Sequence, residues 1–135
     1  MIGLLAVSAC TGTTGSAEDF CDEVAKVPAL EAVLARFSEA DPQVLQDRID
    51  RARAAYEALA EAAPDAIDDE TDQVVELVDA ILASVEDHPT DPAAAANQLR
   101  RVVAQHAEVD QARAKVTEYA QDECGIRLDP TLGGG

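Results

Sequence analysis

The chain has 135 residues, of which 47% are hydrophobic and only 3% aromatic, and its formal net charge is -17. This length and hydrophobic fraction are enough for one modest domain, whose core must be mainly aliphatic. A surface this acidic repels phosphate backbones and anionic lipid headgroups. The composition therefore argues against nucleic-acid binding and against direct adhesion of the domain to a membrane.

The chain opens with a short apolar run that ends in small residues and a cysteine, Val7-Ser8-Ala9-Cys10. This segment resembles the lipobox of bacterial lipoprotein signals. In that family the cysteine thiol receives a diacylglyceryl group, the peptide ahead of it is removed, and the new N-terminus lies in the outer leaflet of the membrane. The resemblance implies that Cys10 is the lipidation site and that residues 1–9 are the signal. The alternatives are an ordinary signal peptide cut near Ala9 and a plain soluble terminus.

Residues 1–9 carry no Lys or Arg, although such signals normally begin with one, so we expect this signal segment to be shortened. Residues 10–17 are interpreted as the lipid anchor and a flexible tether, because the residues after Cys10 are small and polar and include two glycines. Residues 18–127 are predicted to form the folded domain. Residues 128–135 end in three glycines and are predicted to be a disordered tail.

Between tether and tail the apolar residues recur at helical spacing, and no segment shows the alternation of a half-buried strand. The first predicted helix covers about Glu18 to Ser38, and Pro28 should kink or split it. Asp41-Pro42 and Asp91-Pro92 each place a capping carboxylate before a proline, which is typical of a helix start. The further predicted helices run from Pro42 to about Pro64, from the acidic cluster Asp68-Asp69-Glu70 to about Pro89, and from Pro92 to about Glu123, with Gly125 as a C-cap.

Each predicted helix has one apolar face, and these faces together predict the core. The faces consist of Phe20, Val24, Val27, Leu30, Leu34 and Phe37 in the first helix; Leu45, Ile49, Ala52, Tyr56, Leu59 and Ala63 in the second; Val74, Val75, Val78, Ile81, Leu82 and Val85 in the third; and Leu99, Val102, Val103, Val109, Ala112, Val116 and Tyr119 in the last. The last helix would be roughly 48 Å long if straight, so we expect part of it to overhang or bend.

The three cysteines bear on both export and topology. If Cys10 carries the lipid, Cys21 and Cys124 remain as one pair, and a disulfide between them would close nearly the whole domain. Two buried free thiols are the alternative. In an up-down-up-down arrangement, the start of the first helix and the end of the last lie at the same end of the bundle. We therefore predict an all-α, antiparallel four-helix bundle, kinked at Pro28, with one disulfide joining its ends.

The sequence contains no recognisable catalytic or metal-binding motif. Di-iron sites in helical bundles use Glu-x-x-His pairs, but valines stand three residues before His88 and His106. The run Asp65 to Asp72 lacks the ligand spacing and central Gly of an EF-hand loop. His106 is interpreted as a boundary residue with one hydrogen bond, and a metal- or haem-ligand role is the alternative. We assign no catalytic residue, no metal ligand and no cofactor.

As a whole, the chain resembles the small, Cys-anchored helical lipoproteins of high-GC Gram-positive bacteria. The lipobox and the frame of Phe20-Cys21 and Cys124-Gly125 carry that resemblance. It implies an extracytoplasmic domain held at the cell membrane by its lipid. We expect a non-enzymatic interaction module whose partner is another envelope protein. The alternatives are a carrier for a small ligand such as haem or a lipid, which needs an internal cavity, and an envelope enzyme.

Overall fold

The computed structural model describes residues 15–128, and all regular secondary structure within them is helical. The helices are α1 (Ala17–Val24), α2 (Leu30–Leu34), α3 (Pro42–Ala62), α4 (Asp68–Glu86), α5 (Pro92–Gln105) and α6 (Val109–Cys124), with a 3-10 turn at Phe37–Glu39. The all-α prediction is confirmed for this part of the chain. The count of four helices is not, because the first and the last predicted helix are each divided in two.

The first predicted helix is divided at Pro28, as the sequence indicates. Proline has no backbone N–H to donate and its ring clashes with the preceding turn of a helix, so α1 ends at Val24 and α2 begins only at Leu30. The hydroxyl of Tyr56 in α3 donates a hydrogen bond to the carbonyl oxygen of Pro28 at 3.4 Å. This bond ties the interruption to α3, against which α2 also packs.

The last predicted helix is divided at His106, where the sequence has neither proline nor glycine. The backbone N–H of His106 is shared between the carbonyls of Val102 and Val103, and its Nδ1–H donates to Val102 O at 2.7 Å. The next backbone bond, from Val109 N to His106 O, spans only three residues. The α-helical ladder therefore gives way to a tight turn, and the expected bend takes the form of a break.

Val103 corrects the predicted core. Its side chain is 54% exposed, whereas its neighbour Val102 is buried. Adjacent residues of a helix point about 100° apart, and in this pair only Val102 lies on the side that faces the core. The rest of the predicted face of the last helix is buried or half-buried.

Helix α4 lies at the centre of the packing, in contact with α3, α5 and α6, while α1 packs against α3 and α6. Gln98 of α5 donates to Asp87 at the end of α4, whereas Lys115 of α6 donates to Glu70 near its start. The polypeptide of α5 and α6 thus runs past α4 from the C-terminal end of α4 to its N-terminal end. Cys124, at the end of α6, then lies next to α1, to which it is joined through Cys21.

The core is aliphatic with two aromatic side chains, as the composition requires. The whole predicted face of α3 is buried, from Leu45 to Ala63. Two polar side chains are fully enclosed, and each donates to the carbonyl one turn earlier: Thr71 to Ile67 at 2.7 Å and Ser84 to Ala80 at 2.9 Å. Leu128, the first residue of the predicted tail, is also buried.

The predicted helix caps Asp41 and Asp91 are formed, and Ser16 caps α1 in the same way. The side chain of each accepts a bond from a backbone N–H in the first turn of its helix. Gly125 ends α6 with φ 62°, a left-handed conformation that favours glycine. No helix within residues 15–128 is long and apolar enough to cross a bilayer.

Candidate functional site

Cys10 and the predicted signal lie outside the described residues, as do residues 129–135, so lipidation stays a prediction. The structure does describe how the chain enters the domain. A Cβ at Gly15 would overlap the carbonyl group of Ala62, so the backbone of Gly15 lies directly against the end of α3. The next residue, Ser16, already caps α1. Of the predicted tether, only residues 11–14 therefore separate Cys10 from this packed position.

The disulfide between Cys21 and Cys124 joins the first and last α-helices of residues 15–128. The two Cα atoms are 5.3 Å apart, within the range that a disulfide needs, and the cysteines are 103 residues apart in sequence. Beside the bridge, the rings of Phe20 and Tyr119 meet edge to face with centroids 5.4 Å apart. Cys10 is the third cysteine of the chain and takes no part in this pair.

Both histidines have local hydrogen-bond partners. His88, in the turn after α4, pairs through Nε2 with Gln98 Oε1 at 2.9 Å. His106 is half-buried at the end of α5 and makes the one bond to Val102 already described. Within residues 15–128, no group of three or more His, Cys, Asp or Glu side chains is placed to hold a metal ion.

A groove between α3 and α4 brings one arginine and four acidic side chains together. Its volume is about 280 Å³, and it is open to solvent along one side. The floor is apolar and the walls are ionisable. The floor consists of Tyr56, Val75, Val78 and Leu82, and the walls of Arg53, Glu57, Asp72, Glu76 and Asp79.

Arg53 connects the two helices at one wall of this groove. Its Nε donates to Asp79 at 2.6 Å, and a terminal nitrogen donates to Glu86 at 3.2 Å and lies 3.9 Å from Asp50. The hydrogen bond to Asp79 raises the pKa of Arg53, although partial burial opposes that shift. Two of the three guanidinium nitrogens thus donate to carboxylates of the same chain.

The remaining acids of the groove have no such partner. Glu57 on α3 and Asp72 and Glu76 on α4 form no ion pair or side-chain hydrogen bond with any residue from 15 to 128. Burial raises the pKa of the Asp72 carboxyl, and the nearby carboxylates of Asp68 and Asp69 raise it further. The groove therefore carries uncompensated negative charge over an apolar floor.

The groove was not predicted from the sequence. In the sequence Asp72 stands out only as the end of the acidic run Asp65 to Asp72, and Arg53, Glu57 and Glu76 belong to no motif. One signal was available: Arg53 and Glu57 are four residues apart and flank the core position Tyr56, and Asp72 and Glu76 flank Val74 in the same way. That signal does not say which two helix edges face each other.

Comparison with known proteins gives no match to any family model, any curated protein or any solved structure.

Proposed function

We propose that this protein is a membrane-tethered, non-enzymatic lipoprotein of the cell envelope that acts as a protein-interaction module. The lipid on Cys10 would supply the anchor, and the helical domain would supply the surface that a partner recognises. Its location would be extracytoplasmic, at the outer face of the cell membrane.

The observation that carries the proposal is the way in which the three cysteines divide. Cys21 and Cys124 form a disulfide within the domain, and structural disulfides persist mainly in oxidising, extracytoplasmic surroundings. The remaining cysteine is Cys10, which follows an apolar run and small residues as a lipobox cysteine does. Both features favour export, and they do so independently.

The interaction role is supported by the domain surface. A net charge of -17 steers association toward basic partners and away from nucleic acid and anionic lipid. The α3–α4 groove, at about 280 Å³, lies at the lower limit of the roughly 300–1,000 Å³ typical of small-ligand sites, and it is partly open to solvent. The groove therefore suits a side chain of a partner better than a haem or a lipid.

We also infer an up-down-up-down bundle in which α1 with α2 forms the first arm and α5 with α6 forms the fourth. The contacts of Gln98 and Lys115 with opposite ends of α4, together with the Cys21–Cys124 bridge, support this topology. Interhelical distances from spin labels at exposed positions of α4 and α6 would test it. A parallel arrangement of α4 with α6 would contradict it.

The anchoring is tested by intact mass. The full chain, preceded by a complete lipoprotein signal, is expressed in a Gram-positive host and extracted from membranes with and without reductant. We expect a species that begins at Cys10 and carries added diacylglyceryl mass, and that gains hydrogen on reduction of its disulfide. A Cys10→Ala variant should lose the lipid mass and leave the membrane fraction. An unlipidated parent chain would contradict the anchor.

The interaction role is tested in intact cells by cross-linking. A photoreactive residue at position 103, where the valine is exposed, or at position 60, one turn beyond Glu57 in α3, would report neighbours of the anchored domain. We expect a discrete adduct with an envelope protein from position 60 and not from position 103. Adducts equally abundant at both positions, or absent at both, would contradict a specific interaction surface.

A further inference from the structure

We propose that the α3–α4 groove is the docking site for a basic segment of the partner, which inserts one Lys or Arg side chain. The proposal deepens the proposed function, on which it rests for the location of the partner. The segment of the partner is a cationic peptide, and the surface that recognises it is the α3–α4 groove.

The shape and lining of the groove fit a long basic side chain. Lys and Arg combine an apolar stem with a charged end, and they bury the stem where the end can reach a polar rim. The groove offers this combination, because the half-buried Val75 exposes apolar surface at its floor, where Val78 and Leu82 are already buried, while carboxylates lie at its walls. A purely aliphatic ligand would leave the carboxylates without partners, and a small inorganic cation would leave the apolar surface of Val75 uncovered.

The charge balance of the groove points to a positive ligand. One guanidinium, Arg53, faces four carboxylates in the lining, and it is bonded to Asp79 on one side. Glu57 faces Asp72 and Glu76 across the groove, so like charges from two helices converge on one space. A cation placed between them relieves this repulsion and favours the ionised form of each carboxyl.

The raised pKa of Asp72 agrees with this geometry. Asp72 is an exposed residue, and its carboxylate is disfavoured by slight desolvation and by Asp68 and Asp69 of the preceding turn, while no basic side chain of residues 15–128 pairs with it. Arg53 does not serve that purpose, since its guanidinium is held by Asp79 and Glu86. The compensating charge is thus left to a binding partner.

The test uses the full chain with Cys10→Ser, so that no lipid contributes, and a fluorescently labelled hexalysine peptide followed by polarisation at low and moderate salt. The groove variant carries Glu57→Gln, Asp72→Asn and Glu76→Gln. Exposed ion pairs are individually weak, so losing three should weaken binding by about tenfold. Binding should also shift the backbone NMR signals of α3 and α4 around the groove.

A matched control separates site binding from general attraction. The control variant neutralises three exposed acids outside the groove, Glu31→Gln, Asp47→Asn and Glu118→Gln, and so has the same net charge as the groove variant. We expect its affinity to stay within about twofold of the parent chain. Circular dichroism confirms that both variants are folded.

The outcomes discriminate clearly. An equal loss of affinity in both variants, or signal shifts spread over the whole surface, would show only diffuse attraction to an acidic protein and would overturn the site. No loss in the groove variant would overturn it as well. Because this assay needs neither lipid nor membrane, its failure leaves the anchoring test standing. Equally, if the intact-mass measurement finds no lipid on Cys10, the conclusion from the hexalysine binding assay is unchanged.

Discussion

The Cys21–Cys124 bridge should provide a large share of the stability of this domain. The perturbation is the double variant Cys21→Ser/Cys124→Ser, prepared in a chain that already carries Cys10→Ser so that no free thiol remains. Both bridging cysteines are only half-buried, so the serine hydroxyls can reach water and the substitution itself adds little further penalty.

The magnitude follows from the separation of the two cysteines. They are 103 residues apart, and the chain-entropy model assigns a loop of about 100 residues roughly 4.7 kcal/mol at 25 °C. Natural domains are stable by only about 5–15 kcal/mol in total. The variant should therefore fold marginally or remain unfolded at room temperature.

The assay is equilibrium urea unfolding followed by helical circular dichroism. With a urea dependence of about 2 kcal/mol per molar, the loss corresponds to a fall of about 2 M in the unfolding midpoint. Reductant added to the chain with the bridge intact should reproduce this fall. The same reductant should leave the double variant unchanged.

A loss below about 1 kcal/mol, far under the entropic value, would refute the reasoning. It would mean that the unfolded chain already holds its ends together, or that α1 detaches locally while the remaining helices stay folded. The two explanations differ in the urea dependence, since local detachment lowers the slope of the transition and the first does not.

Three further predictions concern single residues and use thermal or urea unfolding. Phe20→Ala should cost about 3–5 kcal/mol, because this ring is fully buried, whereas Val44→Ala at an exposed position should cost less than about 0.5 kcal/mol. Gly125→Ala should cost about 1–2 kcal/mol, because φ is 62° there, and an unchanged midpoint would contradict that conformation. The pKa of Asp72 is raised, so its ionised form disfavours the fold, and Asp72→Asn should stabilise at pH 7 by about 0.2–0.5 kcal/mol. As the pH falls through this raised pKa, Asp72 of the parent chain becomes protonated in the folded state and no longer repels its neighbours. The gain from Asp72→Asn should then vanish.

Much of the fold could be predicted because the deciding signals are local. A capping carboxylate followed by proline set the starts of α3 and α5, and Gly125 set the end of α6. The apolar face of α3 was predicted without error, because its spacing follows one helix without interruption.

The interruption at His106 could not be predicted from the same signals. It depends on a side chain that donates to a backbone carbonyl one turn earlier and on a shared backbone N–H. Any histidine in a helix could in principle do this, so the residue type alone carries no prediction. The pairing of Arg53 with Asp79 and Glu86 is likewise tertiary, because it depends on which edge of α4 faces α3.

The position of Gly15 against the end of α3 relates the predicted lipid anchor to the groove. If Cys10 carries the lipid, residues 11–14 can span at most about 14 Å before Gly15 is held against Ala62. Glu57 lies five residues before Ala62 in α3, which is about 7.5 Å along the helix axis. With that anchor, the groove would begin near the membrane-proximal end of the domain, and a partner that uses it would have to reach it close to the membrane surface. A partner that is itself held at the membrane meets this condition at much higher effective concentration than a protein that diffuses freely.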